Sequence, residues 1–176
     1  KEELTHVHRH QVYRKVPISQ CLERTGKPPI GTRWVDINKG DNVHPEFRSR
    51  VVGQEIKVDR RDDLFAATPP LEAMKLLLSL AVTQGIGYRK GDKKHGKKLD
   101  FIDIRRAYYH APARREVYAK LPPGDEEEGM CGLLIKSLPG TRDATQNWEE
   151  LYMTSISQLG FNSGRVTPCM FWHKQR

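Results

Sequence analysis

The stretch that most constrains this chain is residues 99–124, LDFIDIRRAYYHAPARREVYAKLPPG. Leu99, Phe101, Ile102 and Ile104 form a short apolar run that reads as a buried strand, interrupted by Asp100 and Asp103. A carboxylate inside such a run is costly unless a partner compensates for its burial. The partner is either a divalent cation or a basic group such as Arg105 or Arg106, and a strand-end aspartate that merely caps a helix is the plainer alternative. Asp100 lies three residues before Asp103, so on a strand the two carboxylates point to opposite faces.

The chain has 176 residues, enough for one sizeable core, and reads as one domain or a piece of a larger one. It opens on Lys1 rather than Met, and Arg176 follows an apolar run with no stop signal, so both ends read as cut. A net charge of +8 suits a polyanionic partner. The longest apolar run, Leu76 to Val82, is far shorter than the roughly 20 residues a bilayer span needs, and no secretory signal is visible; no membrane role is expected. Cys21, Cys131 and Cys169 are widely spaced, form no metal-spaced pair, and read as core thiols of a reducing intracellular setting.

Along the chain, residues 1–12 read as a flexible basic segment. His6, His8 and His10 alternate and would share one face of a strand, but no carboxylate or thiol accompanies them as a metal ligand. Residues 26–42 read as a turn, a strand supplied by Ile30, Trp34, Val35 and Ile37, and a second turn at Lys39-Gly40-Asp41-Asn42. Residues 47–56 read as the return strand, with Arg48 and Arg50 alternating against apolar neighbours, which makes a β-hairpin with one charged face. The Asp59–Asp63 cluster reads as a solvated loop. Glu72 to Gln84 reads as a largely buried helix stopped by Gly85, since Leu and Ala run nearly all round it. Residues 88–98 carry six Lys or Arg residues and read as a solvated basic loop; Lys93, Lys94, Lys97 and Lys98 are the candidates there for contact with a nucleic-acid backbone. A strand over Cys131–Gly140, a helix over Thr141–Leu159 closed by Gly160, and a strand over Cys169–His173 complete the reading.

Asp103, Ala107-Tyr108, Val117-Tyr118 and Leu121-Pro122-Pro123-Gly124, in that order, resemble the first catalytic motif of Ty1/copia-type retrotransposon reverse transcriptases, which are RNA-directed DNA polymerases. Ile30-Gly31-Thr32-Arg33-Trp34-Val35 and Arg50-Val51-Val52 resemble the family's fingers hairpin, and Leu138, Gly140 and Trp148 its second motif. This chain departs from that second motif at Pro139, where the family has an aromatic, and at Ala144-Thr145, where it has Ala-Pro. The resemblance runs from about Tyr13 to His173. It implies an α+β fold of polymerase fingers (about 13–70) and a partial palm (about 71–176), an antiparallel sheet with packed helices truncated before the second catalytic motif.

In site terms, the resemblance implies that Asp103, with the Ile104 carbonyl, holds Mg²⁺ or Mn²⁺, and that Tyr108 gates against a ribose 2′-hydroxyl. Arg48, Arg50 and Gly140 would then face the nucleotide and Arg33 the nucleic acid, because a guanidinium fork can bind two phosphate oxygens at once. The implied partners are an RNA template, a DNA primer, deoxynucleoside triphosphates and the remaining polyprotein segments: the rest of the palm, RNase H and integrase. Cytoplasmic particles and the nucleus are the implied locations. Nucleotidyl transfer uses two metal ions about 3.5–4 Å apart, and one carboxylate cannot organise that pair. The 176 residues are therefore expected to be inactive alone. The rival readings are a non-catalytic, basic nucleic-acid-binding module and a degenerate retroelement relic.

Overall fold

The computed structural model describes residues 2–56, 70–92, 95–165 and 167–173. The element order is α1 (Glu2–Arg9), β1 (Tyr13–Pro17), α2 (Ile18–Thr25), β2 (Gly31–Asn38), β3 (Phe47–Gln54), α3 (Leu71–Val82), a 3₁₀ turn (Ala107–His110), β4 (Tyr118–Ala119), β5 (Met130–Leu134), α4 (Ala144–Gln158), β6 (Asn162–Ser163) and β7 (Phe171–Trp172). The class is mixed α and β with antiparallel sheets, as expected. The chain divides into two compact units: Lys1–Phe65 with Arg106–Trp148, and Ala66–Arg105 with Glu149–Arg176.

In the first unit, β5 is the middle strand of a three-stranded sheet ordered β1-β5-β4. Tyr13 pairs with Leu134 and Val16 with Cys131, while Tyr118 pairs with Leu133 on the other edge. This pairing across more than a hundred residues joins Arg106–Trp148 to the N-terminal part, crossing the boundary near residue 70 expected from the sequence. Val7, Val12, Val51, Tyr109, Val117 and Leu138 form its main core, and Val16, Cys21, Tyr118, Cys131 and Leu133 a second cluster. Each Val or Leu among them contributes about 1.5–3 kcal/mol when fully buried. The hairpin β2–β3 is tied to the sheet through Ile30, whose N–H donates to the Tyr118 carbonyl (2.9 Å) and whose carbonyl accepts from the Lys120 N–H (2.8 Å).

The N-terminal residues correct the expectation of a flexible segment. They form α1, because Val7 is fully buried in the core and Glu3 is buried beside Tyr109. The helix also changes the histidine geometry: His6 and His10 come together (ring centroids 6.5 Å), whereas His8 turns away towards Tyr13 and Asp125.

In the second unit, α3 forms about where the sequence places it but is not a buried helix. Only the stripe Ala73, Leu77, Leu80 and Ala81 is half-buried; Leu76 is 55 % exposed and Val82 73 %. The helix ends at Val82, with Thr83 extended, ahead of Gly85. Residues 99–104 correct a second expectation, since they form no strand. Phe101 is 62 % exposed and Ile102 76 %, because a strand needs a ladder partner and none of the described residues pairs with them. The Cys169–His173 strand shortens to β7, which pairs with β6. The Asp59–Asp63 cluster lies outside the described residues. Among the described residues, no helix is long and apolar enough to cross a membrane.

Candidate nucleotide and nucleic-acid site

Strand register sorts the hairpin into two faces. Arg33 is opposite Val52, Val35 opposite Arg50 and Ile37 opposite Arg48, and directly paired residues share a face. Arg33, Arg48 and Arg50 therefore stand on one face. The alternate residues Trp34 and Val51 turn towards the core, where Val51 is fully buried. Three positively charged forks on one ribbon face form an electrostatic surface suited to phosphate. All three are exposed, and Arg48 lies 3.6 Å from the exposed Glu46.

The base of the hairpin is set by two glycines. Gly140 has φ +87°, and a Cβ there would sit 2.1 Å from the Gly53 carbonyl oxygen, so only glycine fits. The Gly53 N–H donates to the Pro139 carbonyl (2.7 Å), locking β3 against the Leu138–Thr141 turn. Beside this contact opens a cavity of about 500 Å³, bounded by Arg33, Val35, Val52, Gln54, Glu55 and Gly140. Gly140 and Arg33 are thus brought to one cavity, with Arg48 and Arg50 further along the same face.

A cluster that sequence reasoning missed braces this cavity. Arg115 donates through both terminal nitrogens to Glu55 (3.0 Å each) and through Nη2 to Asp143 (2.7 Å). The Arg142 N–H also donates to Glu55 (2.8 Å), and Asn147 donates to Asp143 and to Ser137. One guanidinium therefore ties the end of β3 to the entry of α4. Burial pushes the Asp143 carboxyl up, but the hydrogen bonds and charge of Arg115 outweigh it and hold the group below the usual aspartate value. Those bonds, to Asp143 and then Glu55, hold Arg115 more firmly protonated than usual. No local pattern marks this cluster, whose members come from three separate segments.

The model of the family described as "Reverse transcriptase (RNA-dependent DNA polymerase)" matches residues 18–175. The chain belongs to that family. The Ty1/copia-type resemblance is borne out too: over 182 residues the chain is 21 % identical to the "Retrovirus-related Pol polyprotein from transposon TNT 1-94" of Nicotiana tabacum. That match takes in 99 % of this chain and 12 % of the relative, so the chain spans about an eighth of the relative's length. No solved structure matches it significantly.

The other candidate residues of this reverse transcriptase-family chain are placed less fully. Tyr108 is in the 3₁₀ turn, half-buried, with its hydroxyl 3.4 Å from Thr145 Oγ1 at the start of α4. Asp103 and Ile104 belong to the second unit and are exposed, the carboxylate lying in irregular backbone rather than in an apolar strand. Among the described residues no group of three or more His, Cys, Asp or Glu side chains could hold a metal ion, so these residues do not fit a magnesium pair. Lys97 and Lys98 are exposed, and the Lys97 N–H donates to the Gly87 carbonyl (2.6 Å). Lys93 and Lys94 lie outside the described residues.

Proposed function

We propose that this chain is the fingers and partial palm of a retrotransposon reverse transcriptase, contributing to RNA-templated DNA synthesis as part of a longer polyprotein. The observation that carries the reading is the common face of Arg33, Arg48 and Arg50 on a hairpin whose base is locked to the Gly140 turn. In this proposal β2–β3 is the fingers hairpin, and Arg48 and Arg50 meet the triphosphate of a deoxynucleotide. Gly140 lets the turn approach the hairpin backbone, so the cavity beside it stays open for the nucleotide. Tyr108 faces the sugar. Arg33 is one proposed contact to the phosphates of the RNA template and DNA primer, and Lys93, Lys94, Lys97 and Lys98 are proposed separately for the same backbone, contacts that weaken as salt rises.

Asp103, with the Ile104 carbonyl, is the proposed contribution to a Mg²⁺ or Mn²⁺ site. A single exposed carboxylate does not build that site, so the proposal requires further carboxylates from outside the described residues, and the chain alone is inactive. The rest of the palm, an RNase H and an integrase are the proposed neighbours in the polyprotein, acting in cytoplasmic particles and the nucleus. The exposure of Asp103 and the net charge of +8 favour one other reading, a basic nucleic-acid-binding module without catalysis.

Primer extension on an RNA template separates the two, comparing this chain, a polyprotein extended through its downstream frame, and the extended Asp103→Asn variant. The proposal expects extension by the longer wild-type form alone. Activity that survives Asp103→Asn overturns the metal assignment. Salt-sensitive RNA binding without extension by any form supports the binding module.

A further inference from the structure

Helix α1 precedes the residues that the family model matches, yet it holds the backbone on which Tyr108 sits. Glu3 is 7 % exposed, while its neighbours Glu2, Thr5 and His8 are exposed. A carboxylate buried there is tolerated because it is fully engaged. The Tyr109 hydroxyl donates to Glu3 Oε1 (2.9 Å), and Arg106 Nε donates to Oε2 (2.9 Å). Burial, followed by the charge of Glu3, holds the Tyr109 phenol protonated well above its usual range, so it remains a donor.

The two anchored residues bracket Tyr108. Arg106 enters the 3₁₀ turn in the left-handed region (φ 52°), a conformation that a residue with a Cβ adopts only when its surroundings impose it. No side chain caps that turn. Its own bonds run from the Tyr109 N–H to the Arg106 carbonyl (2.9 Å) and from the Ala111 N–H to the Tyr108 carbonyl (3.1 Å). The last turn of chain after α1 adds ring contacts, His10 against His110 (4.9 Å) and against Tyr109 (6.0 Å). The Tyr108 side chain makes a 3.4 Å approach to Thr145 through its hydroxyl. Its direction is thus set by the backbone on either side.

We infer that Glu3 is a positioning residue for Tyr108: by fixing Arg106 and Tyr109 together, it holds the 3₁₀ turn so that the intervening tyrosine presents one ring orientation to a nucleotide sugar. The inference rests on the reading of Tyr108 as the sugar-facing residue. It makes α1 part of the sugar-discriminating machinery rather than an appendage.

Hydrogen exchange on this chain tests the lock without any polymerase activity. Glu3→Gln should speed exchange of the Tyr109 and Ala111 amides by about tenfold or more, the size expected for losing a charge-assisted hydrogen bond. The Leu134 amide, bonded to the Val117 carbonyl in the sheet, should not change. Tyr109→Phe, a milder variant that removes one of the two bonds, should give a smaller acceleration at the same amides. Unchanged exchange in both variants overturns the lock. Equal acceleration at Leu134 overturns it too, because Glu3 would then support the whole unit rather than the turn.

The second arm uses the extended polyprotein and measures the ratio of kcat/KM for deoxynucleotide over ribonucleotide. A positioning role lowers that ratio in Glu3→Gln by several-fold, and a merely structural role lowers both values alike. A ratio that holds while exchange accelerates overturns the link to Tyr108. A silent wild-type polyprotein takes down the polymerase reading, and with it the sugar link, while the exchange arm still decides the lock.

Discussion

Helices α2 and α3 start in the same way and end up in opposite surroundings. Each follows a proline in extended conformation, Pro17 or Pro70, with no side-chain cap. Helix α2 is mostly polar, yet it buries Cys21 against Cys131 and Tyr118. Helix α3 is apolar nearly all round and buries no residue. The more hydrophobic helix is the more exposed one. The difference lies in the neighbours: α2 lies against β1 and the paired β5, whereas among the described residues no other helix or strand packs against α3 to a comparable extent. Apolar content creates a demand for burial, and only a partner satisfies it.

Substitutions can break that contrast, and the largest effect belongs to the glycine contact in the first unit. Gly140→Ala forces a side chain into a positive-φ site 2.1 Å from a carbonyl oxygen. It should cost about 4 kcal/mol or more, enough to unfold the unit. Urea denaturation followed by the fluorescence of Trp34, in a chain whose other tryptophans are replaced by phenylalanine, reads the loss. Stability near wild type would show that the Gly53–Gly140 approach relaxes freely.

Next in size is Arg115→Met. It leaves Asp143 buried without its guanidinium partner, a type of change that costs about 3–5 kcal/mol. Double substitution with Asp143→Asn should recover part of the loss, and a double-mutant cycle measures the coupling. No recovery would mean that Arg115 acts through Glu55 alone.

The most direct comparison pairs one leucine from each unit. Leu138, 2 % exposed in the core, should lose about 2–5 kcal/mol as Leu138→Ala. Leu78, 48 % exposed on α3, should change by about 0.5 kcal/mol or less as Leu78→Ala. A large cost at Leu78 would mean that α3 is covered in solution.

Acid produces the smallest of these effects. The Asp143 carboxyl has a folded pKa below its unfolded value, so its contribution is fully present above about pH 4. That contribution is lost as the pH falls through the depressed folded value. His10 runs in the same direction at higher pH. Burial first, then the neighbouring His110, His6, Arg9 and Arg106, lower its pKa, so protonation below about pH 6.5 works against the folded state. A pH titration of the urea midpoint should show a shallow loss below about pH 6.5 that His10→Gln removes, and a second loss below about pH 4 that Asp143→Asn blunts.

Much of the local structure was legible from residue pattern. The alternation in Gly31–Val35 and Phe47–Gln54, with Asn and Gly between them, located the hairpin and its arginine face, since a period of two needs no knowledge of the rest of the chain. The apolar spacing through Trp148, Leu151, Tyr152 and Ile156 located α4, and Gly160, at φ +86°, closes it as expected. The motif blocks were enough to name the family. The Arg115 clamp was not legible, because Glu55, Arg115 and Asp143 carry no local signature and meet only when β3 and the entry to α4 dock. The strand expected over residues 99–104 failed for the complementary reason: its pattern was right for a strand, but backbone hydrogen bonds need a second strand to receive them.

By itself, then, the sequence determined the local periods, the turns that only glycine can make, the basic charge and the family. Tertiary structure alone decided which apolar surfaces are covered and which charges meet. Glu3 shows why: its bond to Arg106 spans 103 residues. A partner that distant is chosen by how the strands pair and the core packs, and no pattern within a helix of eight residues encodes it.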